Sequence, residues 1–224
     1  MKDTYKSAID FWDRVFSKKQ PASSPKPTTK YPVIDEALLW LGKDDLNVLD
    51  VGFGTGMMLY VLANHFSGHF YGIEASKAAL EHAKGIFTGL SQPDVDLRLG
   101  SNKTLAEISA ESMDAVILSN IVDQLTDEDG LRMIEETYRI LKKDGRVFLK
   151  LNPYLQDKEC EQDGLKKMSS ELYQDNNGMY LWNLSNARWH DILEPLFIIV
   201  KEQRIDLEYH GQTNRLFLLK KRRK

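Results

Sequence analysis

Cysteine is almost missing from this chain. Cys160 stands alone among 224 residues, so no internal disulfide can form, and a reducing, cytoplasmic compartment is the expectation. No apolar run approaches the ~18 residues of a membrane helix, which excludes a spanning segment. An excess of positive charge is lacking too: 30 Lys and Arg face 33 Asp and Glu, for a formal net charge of −3. That balance gives no electrostatic footprint for a polyanion and argues against a nucleic-acid partner. The one basic cluster, Lys220-Lys221-Arg222-Arg223-Lys224, reads as a tail closing the last strand. A signal-peptide pattern is not seen, because Met1-Lys2-Asp3-Thr4-Tyr5 is polar and leads into an amphipathic stretch with acids. No Ser/His/Asp or Cys/His constellation is visible, and no internal repeat.

What is present is a glycine loop between a strand and a helix. Val48-Leu49-Asp50-Val51 is an apolar lead-in with an acid, Gly52-Phe53-Gly54-Thr55-Gly56 follows, and Met57 to Ala63 has helical character. Glycine lacks Cβ, so alternate glycines let the chain turn sharply and bring bare backbone against a ligand. The spacing selects among cofactors. A dinucleotide fingerprint needs G-x-G-x-x-G, whose third glycine would fall at Met57, so a nicotinamide-dependent oxidoreductase becomes an alternative only. One helix and a turn later, His69 to Glu74 reads as a second strand ending in a carboxylate, placed to accept both ribose hydroxyls of an adenosine.

Strand and helix signals alternate from Leu46 onward, the pattern of a doubly wound α/β sheet. Strands are expected at Asn47–Val51, Phe70–Glu74, Val95–Leu99 after a turn at Pro93, Met113–Asn120 and Arg146–Leu151, with two more at Phe197–Glu208 and Leu216–Leu219. Ser76 is placed as the N-cap of the second helix. A helix from about Glu128 to Leu141 is stopped by Asp144-Gly145. Two regions fall outside the alternation. Residues 1–35 are expected to form an aromatic lid helix and a Pro-rich linker, Gln20 to Pro32, ahead of the catalytic domain at 36–224. A cap insertion is expected at about 152–185.

The lead-in with G-x-G-x-G resembles motif I of the class I S-adenosylmethionine-dependent methyltransferases, and the resemblance covers about residues 45–220. It implies a Rossmann-like seven-stranded sheet, mostly parallel with the last strand antiparallel, carrying helical and aromatic caps. S-adenosylmethionine is the implied cofactor and S-adenosylhomocysteine the product. By the same resemblance Asp50 lies near the cofactor's amino-acid end, while Gly52, Phe53, Gly54, Thr55 and Gly56 cradle the methionine and ribose. Glu74 holds the ribose and Ala75 packs on the adenine. After the third strand the family often has an acid that binds the adenine amine; here Ser101 or Asn102 must substitute. Ser119-Asn120-Ile121-Val122-Asp123-Gln124-Leu125 is similar to the family's "SNVLHHL" segment, so Asn120 and Ile121 should line the methionine moiety. Asp123 and Gln124 stand at its two histidine positions. Asp123 is thereby a candidate to orient or deprotonate the acceptor, or else to cap the next helix.

The expected reaction is in-line methyl transfer to a small or medium acceptor. Trp12, Phe16, Tyr31, Gln124, Tyr154, Tyr180 and Trp182 are the residues expected to face it, with cation–π attraction available to the aromatic ones. A protein or RNA acceptor is the alternative. Adenine-amine methylation is disfavoured because Ser119-Asn120-Ile121-Val122 replaces the "NPPY"-like loop, and cytosine C5 methylation because Glu159, not proline, precedes Cys160. No metal is expected. The acceptor's identity and the oligomeric state are not written in the sequence.

Overall fold

The computed structural model describes residues 4–19, 25–90, 94–207 (207 by its backbone alone) and 212–223. Gln20–Ser24 of the expected linker, the turn at Pro93, Glu208 at the end of an expected strand, and Lys224 of the tail lie outside the described residues.

Seven strands form one sheet: β1 (Leu46–Val51), β2 (Gly68–Glu74), β3 (Asp94–Leu99), β4 (Met113–Ser119), β5 (Leu141–Leu151), β9 (Phe197–Leu207) and β10 (Gln212–Lys221). Their order is β3-β2-β1-β4-β5-β10-β9, with β1 to β5 mutually parallel and β10 antiparallel to both neighbours. The chain winds outward from β1 in one direction and resumes at β4 in the other, which leaves a crevice at the carboxyl ends of β1 and β4.

Period-two alternation sorts the side chains into two cores. Leu49, Val51, Val116, Leu118 and Leu149 face α5 (Asp127–Ile140) and α7 (Asn186–Leu193). Val48, Ala115, Ile117 and Phe148 face α2 (Pro32–Leu41) and α3 (Met57–His65). β4 is buried along nearly its whole length, as its near-continuous apolar run requires of a parallel central strand. Ser76 caps α4 (Lys77–Phe87) as expected, its Oγ accepting the Ala79 amide at 3.1 Å. Local chemistry and tertiary position therefore agree at this turn.

Three boundaries differ from expectation. α2 runs across the boundary placed at residue 35. Pro32 sits at its first helical position, where no amide is needed, and Ile34, Ala37, Leu38 and Leu41 supply its buried stripe. β5 starts at Leu141 because that residue pairs with Met113, and a register shift absorbs the Asp144-Gly145 turn. β10 runs to 10 residues from Gln212 to Lys221, well beyond the expected Leu216–Leu219, since polar residues at its start still pair with β9.

The insertion after β5 contains α6 (Asp157–Gln162) and a separate sheet of β6 (Lys166–Lys167), β7 (Leu172–Gln174) and β8 (Tyr180–Trp182). Trp182, expected to face an acceptor, is instead core. It is 4% exposed, meets Trp189 edge to face at 5.1 Å, and lies so close to Gly130 of α5 that a Cβ there would come within 2.7 Å of its ring. A large aromatic at the end of a short strand joins cap to sheet by burial.

The basic tail closes the last strand. Lys220 and Arg223 pair with Asp144, Lys221 donates to the Leu141 carbonyl at 2.6 Å, and Arg222 donates to that of Glu194 at 2.9 Å.

Trp182→Ala should lower stability by about 3–5 kcal/mol, as for other buried large-to-small changes. Denaturant melts of the two proteins measure it, and a loss below 1 kcal/mol would return Trp182 to the surface and to the acceptor.

Candidate active site

The turn from β1 into α3 sets the floor of the site. Gly52 and Gly54 have φ of +69° and +56°, a region that L side chains rarely adopt. A Cβ on Gly52 would sit 3.1 Å from Ile121, and one on Gly54 3.4 Å from Phe16. The loop is thus held between the segment after β4 and α1 (Lys6–Ser17).

Glu74 ties this loop to the next one. Its Oε2 accepts the Gly54 amide at 2.8 Å and its Oε1 the Ser76 amide at 2.9 Å. Burial pushes the Glu74 carboxyl up, and those amides pull it part of the way back. Asp50 lies fully enclosed beneath. Burial first, and the charge of Glu74 second, hold its carboxyl well above the usual range, and Oδ1 has no hydrogen-bond partner among the described residues.

Above the loop is a cavity of about 450 Å³, within the range of small-molecule sites. Val51, Gly52 and Ile73 to Ser76 form its floor, and Gly100 to Lys103 one wall. The opposite wall is Ile121, Gln124, Leu125, Asp129 and Met133. Helix α1 is the roof and contributes Ala8, Ile9 and Trp12, with Thr4 and Tyr5 just before it. Asp13 fastens it on one side, accepting the Ser76 hydroxyl at 2.6 Å and the Ala78 amide at 3.0 Å. The first of these bonds holds the Asp13 carboxyl low. On the other side the Tyr5 hydroxyl donates to Asp129 Oδ2 at 2.6 Å, and burial together with that bond pushes the phenol up to about 12.

Of the expected cofactor residues, Gly52, Glu74, Ala75, Ser101, Asn102 and Ile121 line this cavity. Gly54, Thr55 and Gly56 complete the loop without lining it, and Phe53 turns its ring down onto Leu80, Ala83 and the face of Gly72. The Ser101 hydroxyl is committed to a helical cap, accepting the Lys103 amide at 3.4 Å. Asn120 stands just outside, in the left-handed region at φ +52°, with Nδ2 donating to Asn152 Oδ1 at 2.6 Å.

Of the expected acceptor residues, Trp12 and Gln124 line the cavity. Phe16 is buried over the glycine loop, and Tyr31 packs on the α2/α3 core. Tyr180 meets Tyr5 edge to face at 5.9 Å, and Tyr154 is exposed beyond β5.

Asp123 fits neither sequence reading. Thr126, not Asp123, caps α5. Asp123 is wholly buried, does not line the cavity, and accepts the Asn152 amide at 2.6 Å through Oδ2. It joins the turn after β4 to the end of β5, and burial raises its carboxyl. Around it the sequence concealed a polar group from separate strands. Arg215 donates to Asn152 O at 2.9 Å and Leu184 O at 2.6 Å, Asn214 donates to Asn120 Oδ1 at 3.1 Å, and burial depresses the Lys150 amine to about 8. Tyr5 and Asp129 were equally hidden, since they meet only when the first helix folds onto the fifth. Among the described residues no group of three or more His, Cys, Asp or Glu is placed to hold a metal.

Residues 48–145 match the family model described as a methyltransferase domain. Among solved structures the fold is similar to a chain of the complex between the Haloferax volcanii Trm112 methyltransferase activator and a methyltransferase. Identity there is 16%, coverage 100% of this chain and 98% of that one, and the TM-score 0.68. It is similar to a SAM-dependent methyltransferase of Methanosarcina mazei at 18% identity, over 87% and 99% of the two chains, with TM-score 0.68. It is also similar to the Burkholderia thailandensis 1,6-didemethyltoxoflavin-N1-methyltransferase bound to its substrate and S-adenosylhomocysteine, at 13% identity over 100% and 92%, with TM-score 0.67. No curated protein matches the sequence.

A sheet of this order, with a cavity over its G-x-G-x-G turn, is the fold that this chain shares with those methyltransferase structures. Residues 48–145, less than half of the chain, match a methyltransferase domain, and the similar Methanosarcina mazei methyltransferase uses S-adenosylmethionine as its cofactor. The residues present fit it. A Cβ would close the cradle at Gly52, Glu74 faces the cavity with lone pairs to spare beyond its two amides, and Ala75 leaves room for a flat base.

Saturating S-adenosylhomocysteine should raise the melting temperature of cofactor-free protein, the stabilisation at 100 times Kd being about 2.7 kcal/mol. Gly54→Val should abolish the shift, because valine is strained at φ +56° and displaces Phe16. A shift equal to wild type in that variant would remove the loop from the site. Asp123→Asn keeps an acceptor for the Asn152 amide and should leave turnover within about tenfold of wild type. A loss of about 10²-fold or more at unchanged melting temperature would restore Asp123 as a proton-transfer group.

Proposed function

We propose that this enzyme transfers a methyl group to a small or medium-sized molecule by in-line displacement. The observation that carries the reading is the roof: α1 lies directly over the cavity and is hydrogen-bonded to the floor at Ser76 and, through Tyr5 just before it, to one wall at Asp129, a geometry suited to enclosing a compact acceptor. A long polymer would require an open, cationic face. The described cations of the basic tail, Lys220 to Arg223, are engaged with Asp144, Leu141 and Glu194, and the net charge is −3. Trp12 and Gln124 on the cavity wall, with Tyr180 and Tyr154 farther out, are the proposed acceptor contacts.

When bound, the cofactor supplies a methyl on a sulfonium, an electrophile that needs no acid to leave. The chain's own residues therefore act chiefly by placement. Glu74 and the glycine loop fix the cofactor's position, the β4–α5 turn carries Ile121 and Gln124 toward the acceptor, and α1 excludes water. Such ordering is worth up to about 7–11 kcal/mol of barrier. No helix among the described residues is long and apolar enough to cross a membrane, and the buried single thiol suits a reducing, cytoplasmic setting.

Likeness to a chain solved with a methyltransferase activator favours a second reading, methylation of protein or RNA with an activator's help. Incubating the enzyme and methyl-tritiated S-adenosylmethionine with cell extract, then separating small molecules from precipitated protein and RNA, decides between them. Label is expected in the small-molecule fraction, and enzyme-dependent label confined to protein or RNA would overturn the proposal.

A further inference from the structure

Two carboxylates line the cavity, Glu74 from the end of β2 and Asp129 from the first turn of α5 on the opposite wall. Glu74 is accounted for by its place beside the glycine loop. Asp129 has no such role. Its Oδ2 is held by the Tyr5 hydroxyl at 2.6 Å, and its Oδ1 carries no hydrogen bond among the described residues. The neighbouring cavity wall offers apolar surface from Leu125 and Met133, suited to the faces of a heterocycle. Across from it stand Ser101, Asn102 and Lys103. Ser101 spends its hydroxyl on the cap of the turn that follows β3. That leaves Asp129 as the one carboxylate lining the cavity between β3 and α5, and a carboxylate accepts hydrogen bonds without donating any.

We propose that Asp129 reads the exocyclic amine of the cofactor's adenine through Oδ1, and that Tyr5, on its other oxygen, ties this recognition to the seating of the roof. The assignment rests on the reading of the cavity as the adenosine site. It makes Asp129 a specificity residue for the base: an amine donates to it, whereas a carbonyl at the same ring position faces a carboxylate with no proton to share. Tyr5 is a positioning residue. Removing its hydroxyl loosens the roof over either base, but the acceptor stays in place.

Isothermal titration of the full-length protein with S-adenosylhomocysteine and with its deaminated analogue, S-inosylhomocysteine, tests both halves. Wild type should bind the adenosyl compound about 10- to 100-fold more tightly, as expected of a bond to a charged acceptor. Asp129→Ala should bring the two affinities within about threefold of each other. Asp129→Asn keeps the size of the side chain and an acceptor for Tyr5 while offering a donor to the base, and should shift the preference toward the inosyl compound. Tyr5→Phe should weaken both ligands by a similar factor and leave their ratio unchanged. Asp129 variants that fold, by melting temperature and circular dichroism, yet keep the wild-type ratio would overturn the assignment, as would collapse of the ratio in Asn102→Ala alone. Failure of wild type to bind either compound would overturn the adenosine reading itself.

Discussion

The site depends on a buried carboxylate with two amides to satisfy it. Glu74 is nearly enclosed, and an ionised group there persists only because the Gly54 and Ser76 amides aim at it, each such bond being worth about 1.5–3 kcal/mol. The same two bonds fix the glycine loop ahead of α3 and the turn ahead of α4. Ser76 then caps α4 with its hydroxyl oxygen while giving its hydroxyl proton to Asp13, so the floor of the cavity and the fastening of its roof meet on one residue. Glu74 in turn adds like charge to Asp50, enclosed below, and the raised carboxyl of each reflects first the cost of keeping it out of water.

Much of this was legible because it is local. A strand, three alternate glycines and a helix occupy consecutive residues, and the acid at Glu74 lies one helix further on. The N-cap at Ser76 follows from the residue's own side chain. Contacts between distant segments left no such trace. Tyr5 and Asp129 are 124 positions apart, and nothing in the periodicity of either helix announces their bond. Trp182 looked like part of an aromatic lid because its strand is short and polar-flanked, and only the packing of that strand against α5 makes it core. β5 and β10 outran their apolar patterns because main-chain pairing, not side-chain burial, sets where a strand ends. Asp123 was misread for a related reason. A carboxylate three residues ahead of a helical capping residue resembles a cap or a base in sequence, but its partner, the Asn152 amide, comes from another strand.

The carboxyl ends of β4 and β5 and the start of β10 illustrate the opposite extreme, an arrangement with no sequence signature at all. Asn120, Asp123, Asn152, Asn214 and Arg215 hydrogen-bond one another or each other's backbone, and all are drawn from segments that read as strand ends or turns. Asp123 Oδ1, Asn214 Oδ1 and Arg215 Nη2 have no partner among the described residues, although all three side chains are buried. Buried polar atoms in that condition cost about 1–3 kcal/mol each. A network of this kind fixes the turn after β4 in one conformation, including the left-handed backbone at Asn120, and thereby the positions of Ile121 and Gln124 on the cavity wall.

The roof is attached differently from the rest of the molecule. The sheet is held by continuous ladders and two broad apolar cores, whereas α1 buries chiefly Phe16 and relies on hydrogen bonds at Tyr5 and Asp13. Burying one aromatic is worth about 1.5–3 kcal/mol and each charge-assisted bond about as much, so each fastening is a fraction of the ~5–15 kcal/mol that holds a domain folded. Opening of α1 is therefore separable from unfolding of the sheet. That helix covers the cavity, with Ala8, Ile9 and Trp12 in its lining. The bond that closes one edge of the roof and the acceptor that faces the base then belong to the same aspartate.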